Sequence, residues 1–142
     1  MFNFDGTIVS KIIDAEPELV DTLNCSFSIY ETLRFQKYKI LFWENHYFRI
    51  LASLRRFRFN IPKYFNPEYL EKEINKLIKL EKGENNNFLI RIQFFSTESK
   101  TSFVISLIPS ESFKTNNSQY LIDLYKETLI TSGNFSNLSV TN

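Results

Sequence analysis

The chain has 142 residues, 43% of them hydrophobic and 16% aromatic, enough apolar material for one domain that buries about two-thirds of its unfolded surface. With 17 basic against 16 acidic residues the formal net charge is +1, which gives no global pull toward nucleic acid or an anionic membrane. One cysteine, Cys25, and one histidine, His46, exclude an internal disulfide and a Cys/His metal site, and three glycines are too few for a phosphate-cradling loop.

In chain order, Phe2 to Val9 reads as a hairpin turning at Asp5-Gly6, and Ser10 to Asn24, with Pro17, reads as an irregular connection. Ser26 to Pro62 then reads as two strands and a helix. Ile29, Glu31 and Leu33 fall on one side of the first strand, and Tyr30, Thr32 and Arg34 fall on the other. Gln36-Lys37 is the expected turn and Lys39 to Trp43 the return strand. From Glu44 the period changes, and Tyr47, Ile50, Leu51, Leu54 and Phe57 mark one face of a helix near 45–59. Arg49, Ser53 and Arg56 share a second face. Arg49 lies beside the apolar stripe, where a guanidinium needs an anionic partner, either a carboxylate or a bound phosphate. The Arg55-Arg-Phe-Arg58 run reads as a basic, solvated helix end and not as a nucleic-acid contact.

Asn66 and Pro67 open a second helix, near 67–81, with Leu70, Ile74, Leu77 and Ile78 as its apolar stripe. Glu71, Lys72, Glu73, Lys76 and Lys79 are expected on its wet face. Phe88 to Phe95 is a strand with Leu89, Arg91 and Gln93 on one face, and Thr101 to Ile108 pairs back against it. Pro109 to Asn117 reads as a linker, and Tyr120 to Tyr125 as another strand. The order of elements predicts an α+β fold: an antiparallel sheet of about six strands with both helices on one face.

Three stretches carry a resemblance. Tyr30-Glu-Thr-Leu-Arg34, His46-Tyr-Phe-Arg-Ile-Leu-Ala-Ser53 and Phe59-Asn-Ile61, at their mutual spacing, resemble the amino-terminal small domain of the fold-type IV pyridoxal-phosphate enzymes. That family includes the branched-chain and D-amino-acid aminotransferases (class IV) and aminodeoxychorismate lyase. The resemblance implies pyridoxal phosphate as cofactor, with Arg49 on its phosphate. It implies Tyr30 and Arg91 as substrate-binding residues, although an arginine simply paired with an acid remains open for Arg91.

The chain also departs from the family. Thr22 to Ser28 stands where relatives are glycine-rich, and Phe95-Ser-Thr97 replaces the Thr-Arg-Gly of one subgroup, so that subgroup's substrate arginine is absent. Thr131 to Asn142 resembles the family's interdomain segment, with Ser139 at the position of the Schiff-base lysine. A serine hydroxyl cannot form an imine. Lys114-Thr115 resembles the lysine motif locally but precedes the strand that should come before it.

The expected organisation is therefore a small domain over 1–130 and a hinge segment over 131–142, with the second, cofactor domain absent. The chain alone is expected to be inactive as a transaminase or lyase, to have no catalytic residue of its own, and not to hold the cofactor stably. The alternative is a non-catalytic binding or oligomerisation module derived from that fold. Expected partners are a second copy of the chain and a carboxy-terminal domain, with no metal, nucleic acid or membrane. No apolar run reaches spanning length and Met1-Phe-Asn-Phe-Asp5 lacks signal-peptide character, so the expected location is cytoplasmic.

Overall fold

The computed structural model describes residues 1–11, 27–80, 87–96, 100–109 and 140–141. The strands are β1 (Phe2–Phe4), β2 (Thr7–Val9), β3 (Ser28–Gln36), β4 (Lys39–Ile40), β5 (Phe88–Ser96), β6 (Thr101–Pro109) and β7 (Val140–Thr141), and the helices are α1 (Trp43–Arg56) and α2 (Pro67–Leu80). Every strand pairing is antiparallel, in the order β2-β1-β6-β5-β3-β4, with β7 also on β3. The expected α+β architecture is the observed one.

Alternation along β3 and β5 sorts their side chains. Ile29, Leu33, Ile90, Ile92 and Phe94 are buried in one core with Ile50 and Leu54 of α1 and Leu70, Ile74 and Leu77 of α2. Both helices therefore cover the same face of the sheet. A smaller cluster of Phe4, Phe95 and Val104 lies on the opposite face, where Phe4 stacks on Phe95 with ring centroids 6.3 Å apart. Odd–even geometry alone accounts for this division.

Element ends follow turn chemistry. Asp5 (φ 45) and Gly6 (φ 92) form the expected first turn. Asn66 Oδ1 accepts from the Tyr69 N–H at 2.7 Å, the expected N-cap, directly before Pro67. The β3–β4 turn, however, is Lys37-Tyr38 and not Gln36-Lys37. Both residues have positive φ (51 and 63), as a two-residue hairpin loop requires. The return strand is also shorter than expected. It stops at Ile40 because Phe42 sits at φ 54, a left-handed conformation that breaks the extended chain, and α1 begins at Trp43.

At its other end α1 stops at Arg56, three residues before the expected limit. Arg58 (φ 57) is left-handed, its N–H donates to the Arg55 carbonyl at 3.1 Å, and the Phe59 N–H donates to the Leu54 carbonyl at 2.9 Å. This double bond pattern closes the helix and satisfies its last carbonyls, with an arginine where glycine is usual.

One side chain is on the wrong face of the sequence reading. Glu73, expected in water, is 2% exposed. Asn3 of β1 donates from Nδ2 to the Glu73 backbone carbonyl and to its Oε2, both at 2.9 Å, and Lys76 Nζ lies 2.6 Å from Oε1. The first hairpin docks onto α2 at this point and covers a residue that helical periodicity left outside. Pro109, the first residue of the linker expected over Pro109 to Asn117, instead ends β6; the rest of that linker, the expected strand over 120–125, Lys114 and Ser139 lie outside the described residues.

Candidate functional site

The middle of β3 carries a polar cluster on each face. Its inner edge pairs with β5 along its length. Its outer edge meets β7 at Ser28 and Ile29 and β4 at Phe35 and Gln36. Among the described residues, Tyr30 to Leu33 have no strand neighbour on that outer side.

On the face away from the helices, Thr32 is opposite Arg91 and Tyr30 opposite Gln93. This register sets Tyr30 and Arg91 on a diagonal, and the Arg91 guanidinium lies over the Tyr30 ring, 5.5 Å from its centroid. A cation over a phenol ring is held by the ring quadrupole and keeps its N–H donors free. Gln93 donates from Nε2 to Ser28 Oγ at 2.9 Å, one step further along the same face. Arg34, opposite Leu89, is exposed on this face as well, and the register makes it the other diagonal neighbour of Arg91. Sequence reasoning did not select Arg34. Its signal was available in the Tyr30-Thr32-Arg34 alternation, which puts it on the face of the chosen tyrosine.

The described residues that β3, β5 and β6 place on this face include no Asp or Glu. Neither Arg34 nor Arg91 has an ion-pair partner among the described residues. Two cations without an ion-pair partner among the described residues, on one sheet face, make a surface suited to carboxylate or phosphate.

On the helix side the arrangement is different. Glu31 points into the α1 interface, where its side chain is 7% exposed, and α1 supplies two cationic or potentially cationic groups one turn apart. His46 Nδ1 is 2.7 Å from Glu31 Oε1, and Arg49 Nη1 is 3.6 Å from the same oxygen. The carboxylate option for Arg49's partner is thus realised by Glu31. At 3.6 Å this is an ion pair and not a hydrogen bond, and the Arg49 side chain is 51% exposed, so its donors face solvent. Ser53, on the same helix face, is buried. Glu31, which meets Arg49 of α1, and Tyr30, which meets Arg91 of β5, are adjacent in β3 and point to opposite faces of the sheet, so the structure brings Tyr30 to Arg91 and keeps Arg49 apart from both.

Phe95, at the start of the Phe95-Ser-Thr97 stretch, is fully buried against Phe4 and offers no cation. Among the described residues no group of three His, Cys, Asp or Glu could hold a metal ion, and no helix is long and apolar enough to cross a membrane.

Comparison with known proteins agrees with this architecture. No curated protein matches the chain in sequence. Solved structures do match in fold. The branched-chain amino acid aminotransferase of Escherichia coli is 19% identical with a TM-score of 0.58, over 76% of this chain and 40% of its own. The Thermobaculum terrenum enzyme (an M4 mutant) gives 16% identity and a TM-score of 0.61, over 76% and 37%. The branched-chain aminotransferase of the archaeon Thermoproteus uzoniensis, solved with norvaline, gives 21% and 0.56, over 76% and 40%. The chain therefore spans about two-fifths of the length of these structures. The family model for amino-transferase class IV matches residues 28–134, from the first residue of β3 through both helices and the β5–β6 hairpin. That match takes in Tyr30, Glu31, His46, Arg49 and Arg91, and it covers well over half of the chain: this protein belongs to the class IV aminotransferase family.

Proposed function

We propose that the chain acts as the small domain of a pyridoxal-phosphate-dependent aminotransferase or aminodeoxychorismate lyase fold, and that it supplies anion-binding groups without the reactive amine. The observation that carries this reading is the sheet face on which Arg91 lies over Tyr30 beside Arg34, with no Asp or Glu among the described residues that β3, β5 and β6 place there. Amino acids and amino-chorismate both present carboxylates to such a surface. Tyr30 and Arg91 are the substrate-binding residues in this reading, and Arg34 joins them. Arg49 is the cofactor contact.

The described residues fit pyridoxal phosphate at one end. The Arg49 guanidinium has solvent-facing donors suited to a phosphate, while the aldehyde end needs an amine and Ser139, at the lysine position of the family pattern, is a hydroxyl. When bound, the cofactor supplies an electron sink at the α-carbon of an amine substrate. No step is assigned to it in this chain. A non-catalytic module is the second reading, and Ser139 is the residue that favours it.

Titration with pyridoxal phosphate, followed by borohydride reduction and peptide mapping, tests the proposal. Only scattered, substoichiometric labelling of surface lysines is expected. One stoichiometrically labelled lysine, or turnover of any amino donor, would show that the chain carries its own imine chemistry. Arg49→Ala should weaken cofactor affinity about fivefold, as befits a half-exposed ion pair worth roughly 1 kcal/mol. The same variant should leave stability within about 0.5 kcal/mol. Unchanged affinity with lost stability would make Arg49 structural.

Self-association belongs to the same reading. Tyr38, Phe42 and Phe48 are 77%, 75% and 66% exposed, and water-facing aromatics of this size favour a covering partner. Sedimentation equilibrium at high concentration should report dimers or larger species. A strictly monomeric profile rejects this part of the proposal.

A further inference from the structure

We infer that Glu31 and His46 set how tightly Arg49 holds an oxyanion, and that proton uptake by His46 strengthens that grip; this rests on reading Arg49 as an anion-binding group. Two groups contend for one oxygen. His46 Nδ1 takes the short contact to Glu31 Oε1 at 2.7 Å, and Arg49 Nη1 stands off the same atom at 3.6 Å. Exposure rises along the series, with side-chain values of 7% for Glu31, 18% for His46 and 51% for Arg49. The carboxylate is fixed inside. The guanidinium is at the rim, where it can turn toward a ligand.

Charge counting gives the direction of the effect. With a neutral imidazole donating its Nδ1 proton, the Glu31 carboxylate offsets the charge of Arg49, and the cluster sums to zero. An oxyanion arriving at Arg49 then meets a carboxylate already in place. With an imidazolium, Glu31 is neutralised by His46 and the cluster carries one net positive charge. Arg49 is released to the oxyanion, and by linkage the bound oxyanion favours the protonated imidazole.

Among the described residues the surroundings add little competing charge. Glu31 is the only acidic side chain that β3 directs toward α1, and its neighbours on that face, Ile29, Leu33 and Phe35, are apolar. Among the described residues Glu31 is the only acid within ion-pair distance of His46. Within α1, Arg49 is the charged residue that shares this carboxylate, while Glu44 in the first turn and Arg55 in the last form no ion pair among the described residues. The phenol of Tyr47 turns into the core and donates to the Phe65 carbonyl at 3.0 Å.

The test is sulfate binding to the whole chain at constant ionic strength, because sulfate keeps its charge where a histidine ordinarily titrates. A change of one unit charge near a half-exposed guanidinium corresponds to roughly three- to tenfold in affinity. Sulfate should bind tighter by that factor at about pH 5.5 than at about pH 8, the range in which histidine ordinarily changes charge. His46→Gln keeps a hydrogen-bond donor for Glu31 and carries no titrating charge, so it should bind at the weak level at both pH values. Glu31→Gln removes the offsetting charge and should bind at the tight level already at about pH 8. A structural role for the cluster would not send two conservative variants to opposite plateaus. A wild-type affinity that does not rise on acidification overturns the inference, and that measurement requires no variant. So does a His46→Gln chain that keeps the full rise, or a Glu31→Gln chain no tighter than wild type at the higher pH. Arg49→Ala should weaken sulfate binding and remove its rise on acidification, leaving only what the Arg34–Arg91 face holds. If it binds sulfate as wild type does, the reading of Arg49 itself fails, separately from the coupling.

Discussion

Replacing Phe94 by alanine is expected to destabilise the domain by about 3–5 kcal/mol, the range for truncating a fully buried phenylalanine. Phe94 is 0% exposed and sits in β5, which has a strand on each side from Phe88 to Phe95. Its ring centroid is 6.0 Å from that of Phe65, in the segment between the helices, and 6.3 Å from that of Phe103 on β6. Phe65 in turn meets Phe103 edge-on at 5.6 Å. Removing the Phe94 ring therefore opens a cavity bounded by the sheet on one side and the interhelical segment on the other. Backbone hydrogen bonds to β3 and β6 prevent β5 from collapsing into that space. Urea denaturation followed by Trp43 fluorescence should show the midpoint falling by about 1–3 M, given a typical slope for a small domain. Phe94→Leu should lose much less, about 1–1.5 kcal/mol, since most of the volume is retained. A loss below about 1 kcal/mol for the alanine variant would mean that the core is not centred on β5.

Asn3→Leu is the second large effect, about 2–4 kcal/mol of lost stability. The amide of Asn3 is saturated: Nδ2 donates twice to Glu73, and Oδ1 accepts from the Gly6 N–H at 2.9 Å. A leucine fits the space but leaves a buried carboxylate with Lys76 as its one remaining ion partner, and that lysine is 41% exposed and half-committed to water. The loss follows from a carboxylate deprived of a donor and not from a cavity. Glu73→Gln in the Asn3→Leu background should therefore recover part of the stability. If the double variant is no better than Asn3→Leu alone, the carboxylate is not the source of the cost. The same cluster predicts an alkaline limit. Burial, and then the nearby Glu73 carboxylate, push the Tyr69 phenol up to about 12 from its ordinary 10.0. The folded state thus favours the neutral phenol. That stabilisation is intact below about pH 10 and is lost as pH rises through about 12. Tyr69→Phe should flatten the fall over this window.

Much of this protein was legible before any coordinates. A period of two along Ile29, Glu31 and Leu33 and of 3.6 along Tyr47, Ile50 and Leu54 placed these side chains on their observed faces, because backbone geometry alone sets those directions. Asp5-Gly6 and Asn66-Pro67 announced a turn and a helix start through their own torsional and capping preferences. The spacing of Tyr30, Glu31, His46 and Arg49 carried the family, later matched over 28–134. Other features depended on the packed chain. Phe42 and Arg58 adopt left-handed backbone against their own preference, so local propensity placed the ends of α1 two to three residues away from where packing puts them. Glu73 is buried by a hairpin 70 residues distant, whose docking brings the Asn3 amide to its Oε2 in addition to the Lys76 ammonium on its own helix. The choice between carboxylate and phosphate for Arg49 was open in the sequence, because it requires knowing that Glu31 faces α1 at the height of both His46 and Arg49. Periodicity determines which face a side chain occupies. What it meets there depends on how separate elements pack, and for Glu31, Glu73 and Arg91 that was decided by the tertiary structure.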